Sequence, residues 1–306
     1  MAAVQHIRVL TPPDSTDRVV EILRGCVGVA HLMLFRGAAI EPAGDVVEAD
    51  VTRESSNEVL DALRTLGLVQ SGAITVTTIA ATLSERADRA ERAAPGDPDD
   101  AIVWDELLVR TKEESTLNIT FTSFLTIACL LAAVGVITDS PVTIVGAMVV
   151  GPEFGPLAAL AVGLVLRRSR LVKRSSIALV VGFPLAMAVT AIFALLAEIF
   201  GWFQYSTIDD LQQVDFIYSV GPASLVVAVL AGAAGMLALL SSKSAALVGV
   251  FISVTTVPAA GFAVVAAMVG SWRIAALSVG QLAINLVGIV LSAAVVLMIR
   301  RRVAPT

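Results

Sequence analysis

Glu153 is the residue whose surroundings ask most of chemistry. It lies in GAMVVGPEFGP (146–156), inside a run from Val142 to Leu166 that is otherwise apolar enough for lipid. Proline within a helix removes a hydrogen bond and clashes with the preceding turn, at about 3 kcal/mol or more. Pro152 and Pro156 stand four apart, and Gly146, Gly151 and Gly155 weaken the same stretch. Backbone freed in this way must be buried in protein or line a wet cavity. An ionised carboxylate at membrane depth is costly and by default marks a functional site. The plain alternative is a protonated Glu153 bonded to a neighbouring helix. Half-helix N-termini suit anions, whereas unwound carbonyls and a carboxylate suit cations or protons. Gly151, Pro152, Glu153, Gly155 and Pro156 therefore form the first part of a candidate substrate or ion site.

A second stretch repeats the theme. VGVFISVTTVPAAGF (248–262) places Ser253, Thr255 and Thr256 before Pro258 and Gly261. Gln281 and Asn285, four apart on one helical face, are able to bond to the broken segments or to another helix. Aligned at Val-Gly, VGAMVVGPEFGP and VGVFISVTTVPA suggest two three-span halves of opposite orientation, a 3+3 inverted repeat. Gly/Pro-interrupted segments at matching places in two halves point to a transporter's binding site.

These residues need spans to hold them. Hydrophobic residues make up 57% of the 306, and the mean hydropathy of +0.85 implies an integral membrane protein with the lipid bilayer as its solvent. Six apolar runs are long enough to cross: Ile119–Ile137, Val142–Leu166, Ile177–Phe200, Gly221–Leu240, Ala245–Val269 and Arg273–Ile299. The expected fold is a six-span α-helical polytopic membrane domain, residues 119–306, with its second and fifth helices broken. Arg167, Arg168, Arg170, Lys173, Arg174, Lys243 and Arg300–Arg302 fall on one side of that arrangement. The positive-inside rule puts both termini in the cytoplasm of a multi-pass cell (inner) membrane protein. Ala228, Ala231, Gly232 and Gly235 form small-xxx-small pairs that allow close helix contact and subunit contact, and a homo-oligomer is expected.

Residues 1–118 differ in kind. They hold 11 Lys and Arg against 20 Asp and Glu, whereas residues 119–306 hold 10 against 6. Residues 1–80 read as βαββαβ, a ferredoxin-like α+β domain. Ser55-x-x-Glu58 has the form of a capping box for its second helix, which Gly67 ends. Residues 81–118 read as a helical linker. In it Ala101, Trp104 and Leu108 share a face suited to the headgroup level or to packing on the membrane domain. His6 and His31 read as ordinary strand residues, and Cys26 and Cys129 lie in different environments. No cofactor is expected, the metal question is open, and no basic stripe suggests nucleic acid.

GAMVVGPEFGPLAALAVGL (146–164), LAGAAGMLALLSSKSAALVGVFISVTTVPAAG (230–261) and LAINLVGI (282–289) together resemble a bacterial and archaeal membrane family, the domain of unknown function 389. That family commonly carries Ser-Pro at the break and Pro-Pro later, where this chain has Gly151-Pro152 and a single Pro258. The resemblance implies several spans with an attached soluble domain, and no settled activity.

The leading expectation is a transporter or channel-like permease for a small ion or polar solute, regulated or assembled by the N-terminal domain. The alternative is a membrane-anchored sensor or scaffold whose ferredoxin-like domain binds the ligand. An enzyme is not expected, because the spans carry no catalytic constellation and neither histidine is near them.

Overall fold

The computed structural model describes residues 4–79, 81–96, 101–202, 222–241 and 255–303. Ser253 of the candidate site, Lys243 and the whole of the fifth run before Thr255 lie outside them. The chain divides into two compact units, Met1–Leu107 and Leu108–Arg301.

In the first unit the elements are β1 (Val4–Thr11), α1 (Pro13–Gly25), β2 (Val29–Ile40), β3 (Ala43–Thr52), α2 (Arg53–Thr65), a single turn α3 (Leu68–Ser71) and β4 (Ala73–Thr78). Apart from α3, this is the order read from the sequence. The strands form one antiparallel sheet, ordered β2-β3-β1-β4. Period-two alternation turns Ile7, Val9, Val47, Ala49 and Val51 to one face, against Val19 and Leu23 of α1 and Val59, Leu60 and Leu63 of α2. Gly67, at φ 71°, ends α2 in the left-handed conformation glycine permits.

One local expectation needs correcting. The capping box does not form: α2 starts two residues before Ser55, with Thr52 as its N-cap and no side-chain cap. Ser55 is buried in the first turn under Gly28, where a Cβ would strike it, and Ser56 Oγ donates to Thr52 O at 2.8 Å. The stretch leading into the linker's second helix is tied to the first unit. Val103 belongs to the sheet's own core. Asn57 holds that stretch by donating to Ile102 O (2.7 Å) and accepting from Trp104 N (3.2 Å), and Arg64 pairs with Asp105.

Helix α4 (Glu85–Ala93) lies on the other face of the sheet, where Ala87 and Ala90 meet Val4 and Ala30. Asp50 bridges the two histidines, to His6 Nδ1 at 2.9 Å and His31 Nδ1 at 2.8 Å. His31 Nε2 meets Ser84 Oγ, the N-cap of α4, at 3.0 Å. The histidines thus help seat a helix. Among the described residues no group of His, Cys, Asp and Glu is placed to hold a metal.

The second unit is helical. After α5 (Trp104–Glu114) come α6 (Ile119–Ile137), α7 (Pro141–Val150), α8 (Phe154–Val165), α9 (Ser169–Ile199), α10 (Pro222–Leu240), α11 (Thr256–Met268) and α12 (Trp272–Val303). Among the described residues α6, α9 and α12 are long and apolar enough to cross a membrane, and a fourth span results if α7 and α8, bent by 50°, count as one. Burial is inverted relative to a water-soluble bundle. On α9 most inward residues are small (Ala178, Gly182, Ala186, Thr190, Ala194), with Leu179 and Phe183 among them, while Val180, Leu185, Ile192 and Leu195 face outward. Lipid is as apolar as leucine, so small residues that let backbones approach belong inside. Ala228 and Gly232 of α10 pack against α12, where a Cβ on Gly232 would meet Ser292 Oγ and, at 2.5 Å, Ile289 O. Part of the small-xxx-small stripe is therefore used within the chain.

The candidate site at the paired half-helices

At ~1.5 Å per residue, α7 and α8 measure about 15 Å and 18 Å, together close to the ~30 Å of a bilayer core. The break between them is thus near mid-depth of that pair. It is short: Gly151 is the C-cap of α7, Pro152 follows, and Glu153 is the N-cap of α8. Pro156 is not a second break. It occupies the third position of α8, where an N–H has no intrahelical partner and proline is tolerated. Pro258 likewise stands third in α11, behind the N-cap Thr255. Both prolines mark starts of helices.

Helices α8 and α11 share more than this. α8 has 12 residues and α11 has 13, and each ends in the same turn. Arg167 N bonds to Leu164 O (3.3 Å) and Arg168 N to Gly163 O (2.8 Å). In the same places Gly270 N bonds to Ala267 O (3.1 Å) and Ser271 N to Ala266 O (2.9 Å). This is the Schellman pattern, with Arg167 at φ 53° and Gly270 at φ 78° in the left-handed position. A helix of 31 residues follows the first and one of 32 the second.

The N-termini of α8 and α11 meet at the carboxylate. Thr256 Oγ1 donates to Glu153 Oε1 at 2.6 Å, and both residues are buried. Glu153 Oε2 turns back over Gly151, where a Cβ would strike it and stand 2.9 Å from Val257 Cγ2. Oε2 receives no hydrogen bond from any other described residue. One residue before Thr256, Thr255 Oγ1 accepts from Asn285 Nδ2 at 2.8 Å, and Asn285 Oδ1 accepts from Gln281 Nε2 at 3.0 Å. Gln281 Oε1 is a second buried acceptor with no donor among the described residues. Gly261, on the next turn of α11, lets that helix lie on α6, where a Cβ would come within 2.7 Å of Ala132 Cβ and 3.1 Å of Cys129 O.

Glu153, Thr255, Thr256, Gln281 and Asn285 are thus joined in one polar line across α8, α11 and α12. Gly151 and Pro152 supply its break, and Pro156 and Pro258 sit just behind the two helix starts. Gly155 has another task, since a Cβ there would stand 2.8 Å from Glu114 Cβ and 3.2 Å from Glu114 Oε2. Glu114, at the end of α5, was not among the sequence candidates. Burial pushes its carboxyl above the ordinary glutamate range, opposed by Arg110, whose Nε lies 3.6 Å from it. The Glu113-Glu114 pair just ahead of Asn118, the N-cap of α6, was the available signal.

Residues 148–291 match the family described as Domain of unknown function (DUF389). The matched segment runs from the last turn of α7 into α12 and contains every member of the polar line. No curated protein and no solved structure matches the chain.

Proposed function

We propose that the DUF389 unit is a permease for a small ion or polar solute, with its site where the half-helices α8 and α11 meet. The observation that carries this is Glu153. It is a buried carboxylate at a helix break, held by one hydroxyl from the opposite half-helix, with its second oxygen unpaired by other described residues. Structural polar groups in apolar surroundings are normally fully bonded. A binding group is left open for its ligand.

The shared starts, lengths, end turns and following helices of α8 and α11 support an inverted repeat within a six-span arrangement. In that reading α10 and the segment ending in α11 supply the fourth and fifth spans. Paired discontinuous helices meeting at mid-depth are the usual ground for alternating access. Arg301 Nη1 donates to Val165 O at 3.4 Å. This puts the basic end of α12 beside the end of α8, next to Arg167 and Arg168, and supports a cytoplasmic face for that end.

The test is charge movement by the purified full-length protein in liposomes, under a panel of ions, small carboxylates and pH steps. Wild type and Glu153→Gln would run side by side. A solute-dependent current in the first that disappears in the second supports the reading. Silence of wild type to every solute would remove it and leave the spans as an anchor for a ligand-sensing N-terminal unit.

A further inference from the structure

We propose that Glu153 is the proton-binding group of this site, with Oε2 as the atom that takes the proton. This deepens the permease reading by naming the proton as its coupling ion. The argument begins with what the carboxylate lacks. An ion moved into a protein interior loses several kcal/mol of hydration, and a hydrogen bond to a charged group returns about 1.5–3 kcal/mol. The partner side chain shown for Glu153 is the Thr256 hydroxyl. No basic side chain pairs with it among the described residues.

The sequence of the surrounding helices explains why. α7, α8, α10 and α11 contain no Asp, Glu, Lys, Arg, His or Cys. On α12 the charged residues are Arg273 near its start and Arg300, Arg301 and Arg302 near its end. On α9 they are Arg170, Lys173 and Arg174 at its start and Glu198 at its end. Cys129 of α6 lies within electrostatic reach of Glu153. Glu114 of α5, with Arg110 beside it, lies against Gly155 in the first turn of α8. Among the described residues the ionisable group shown within electrostatic reach of Glu153 is the Cys129 thiol, which is not a cation.

Among the described residues the count of side-chain oxygens favours a proton over a metal ion as the missing partner. A hard cation such as Ca²⁺ takes about 6–8 oxygen ligands, and Mg²⁺ demands a near-octahedral set. Around Oε2 the described side chains offer none. Thr256 is turned to Oε1 as a donor, Val257 and Gly151 close the other side, and the oxygens of Gln281 and Asn285 belong to the line that ends at Thr255. A buried, unpaired carboxylate oxygen in a tight apolar corner suits a proton. The reaction is simple to balance: Oε2 gains H⁺, the carboxylate becomes a neutral acid, and Thr256 keeps donating to Oε1. The two helix N-termini then face an uncharged group, so the attraction that holds α8 to α11 is weakened. Proton binding and movement of the half-helices are thereby linked.

The test is infrared difference spectroscopy of the full-length protein in lipid, stepped from about pH 4 to about pH 9 so as to span ordinary carboxyl values and those raised well above them. The expected result is a protonated-carboxyl carbonyl band in wild type that Glu153→Gln removes and Thr256→Val displaces, because that variant alters the hydrogen bond to the same group. Should Glu153→Gln fail to fold, displacement of the band by Thr256→Val carries the test alone. In parallel, proton uptake into liposomes under an imposed potential should fall to the level of empty vesicles in Glu153→Gln. A band that ignores both substitutions, or no titrating band, overturns the proposal whatever the transport result. Solute currents without a proton component overturn it while leaving the permease reading in place.

Discussion

The contact between Thr256 and Glu153 joins the two half-helices, and its strength can be worked out before it is measured. Thr256→Val removes the hydroxyl with little change of volume, at a residue with no exposed surface. Glu153→Leu removes the acceptor. A hydrogen bond to an ionised group contributes about 1.5–3 kcal/mol. Between neutral side chains on membrane helices the measured average is about 0.6 kcal/mol, with a maximum of about 1.7. The 2.6 Å separation lies at the short end, in the range of charge-assisted O–H···O⁻ bonds. The coupling energy from a double-mutant cycle should accordingly exceed about 1 kcal/mol when Glu153 is ionised and fall towards about 0.6 kcal/mol once it is protonated.

The assay is reversible unfolding in mixed micelles, run on wild type, both single variants and the double variant, at neutral and acid pH. Leaving one partner alone has its own cost, so the double variant should lose less stability than the sum of the two single losses. Additivity within about 0.3–0.5 kcal/mol at both pH values would refute the reasoning. It would mean that the two half-helices do not touch through these side chains in the folded protein, and that the polar line has no junction.

Other expectations follow from the charges and the packing. Glu114 has its carboxyl raised by burial, so the folded protein holds that proton more tightly than the unfolded chain does. Its ionisation then lowers stability as pH rises from the ordinary glutamate value of about 4.3 through the raised one. Glu114→Gln should melt higher than wild type at neutral pH and together with it in acid, by differential scanning fluorimetry. Asp45 behaves in the opposite sense. The Gly37 N–H at 2.8 Å holds its carboxyl below the usual range, with the Thr16 hydroxyl at 2.8 Å and Arg36 adding to the effect. That stabilisation is present above about pH 3.9 and is lost as pH falls through the lowered value. Asp45→Asn should melt lower than wild type at neutral pH, and the gap should close in acid. Gly232→Leu forces a side chain into Ser292 and the Ile289 carbonyl and should destabilise the α10–α12 crossing by about 1–3 kcal/mol. Relief by Ser292→Ala should be incomplete, because the backbone oxygen remains.

What could be read ahead of the structure follows the range of the interaction. The strand order of the first unit rests on period-two alternation and on turn residues such as Gly67, all local, and the elements appear in the order read. Gln281 and Asn285 could be placed on one face because four residues make about one helical turn. Their bond to Thr255 depends on how α12 packs beside α11, and no local pattern contains that. Ser55 and Glu58 show the same limit. Their spacing fits a capping box, but β3 runs straight into α2 and starts the helix two residues early. The serine is carried into the first turn and its hydroxyl is turned toward Gly28.

The prolines carry this argument furthest. In sequence, Pro152 and Pro156 look alike, four apart in an apolar run, and both read as breaks. The cost of proline in a helix arises from the hydrogen bond it removes and from its clash with the turn before it. Neither exists in the first turn. Which proline interrupts and which initiates is therefore decided by where the first helical residue lies. Phe154 begins α8 and Thr256 begins α11, each two residues ahead of a proline. Pro156 and Pro258 so become equivalent, and Glu153 and Thr255 become the two N-caps. The Val-Gly alignment of the two segments is out by one residue against that frame. It would pair Gly155 with Pro258. The helix starts pair proline with proline, and they set the carboxylate opposite the hydroxyl that anchors the Asn285–Gln281 line. The chemistry of the site lies in that one-residue correction, since under the alignment read from sequence Glu153 would stand opposite Thr256, the residue that bonds to it, and the two N-caps would not correspond.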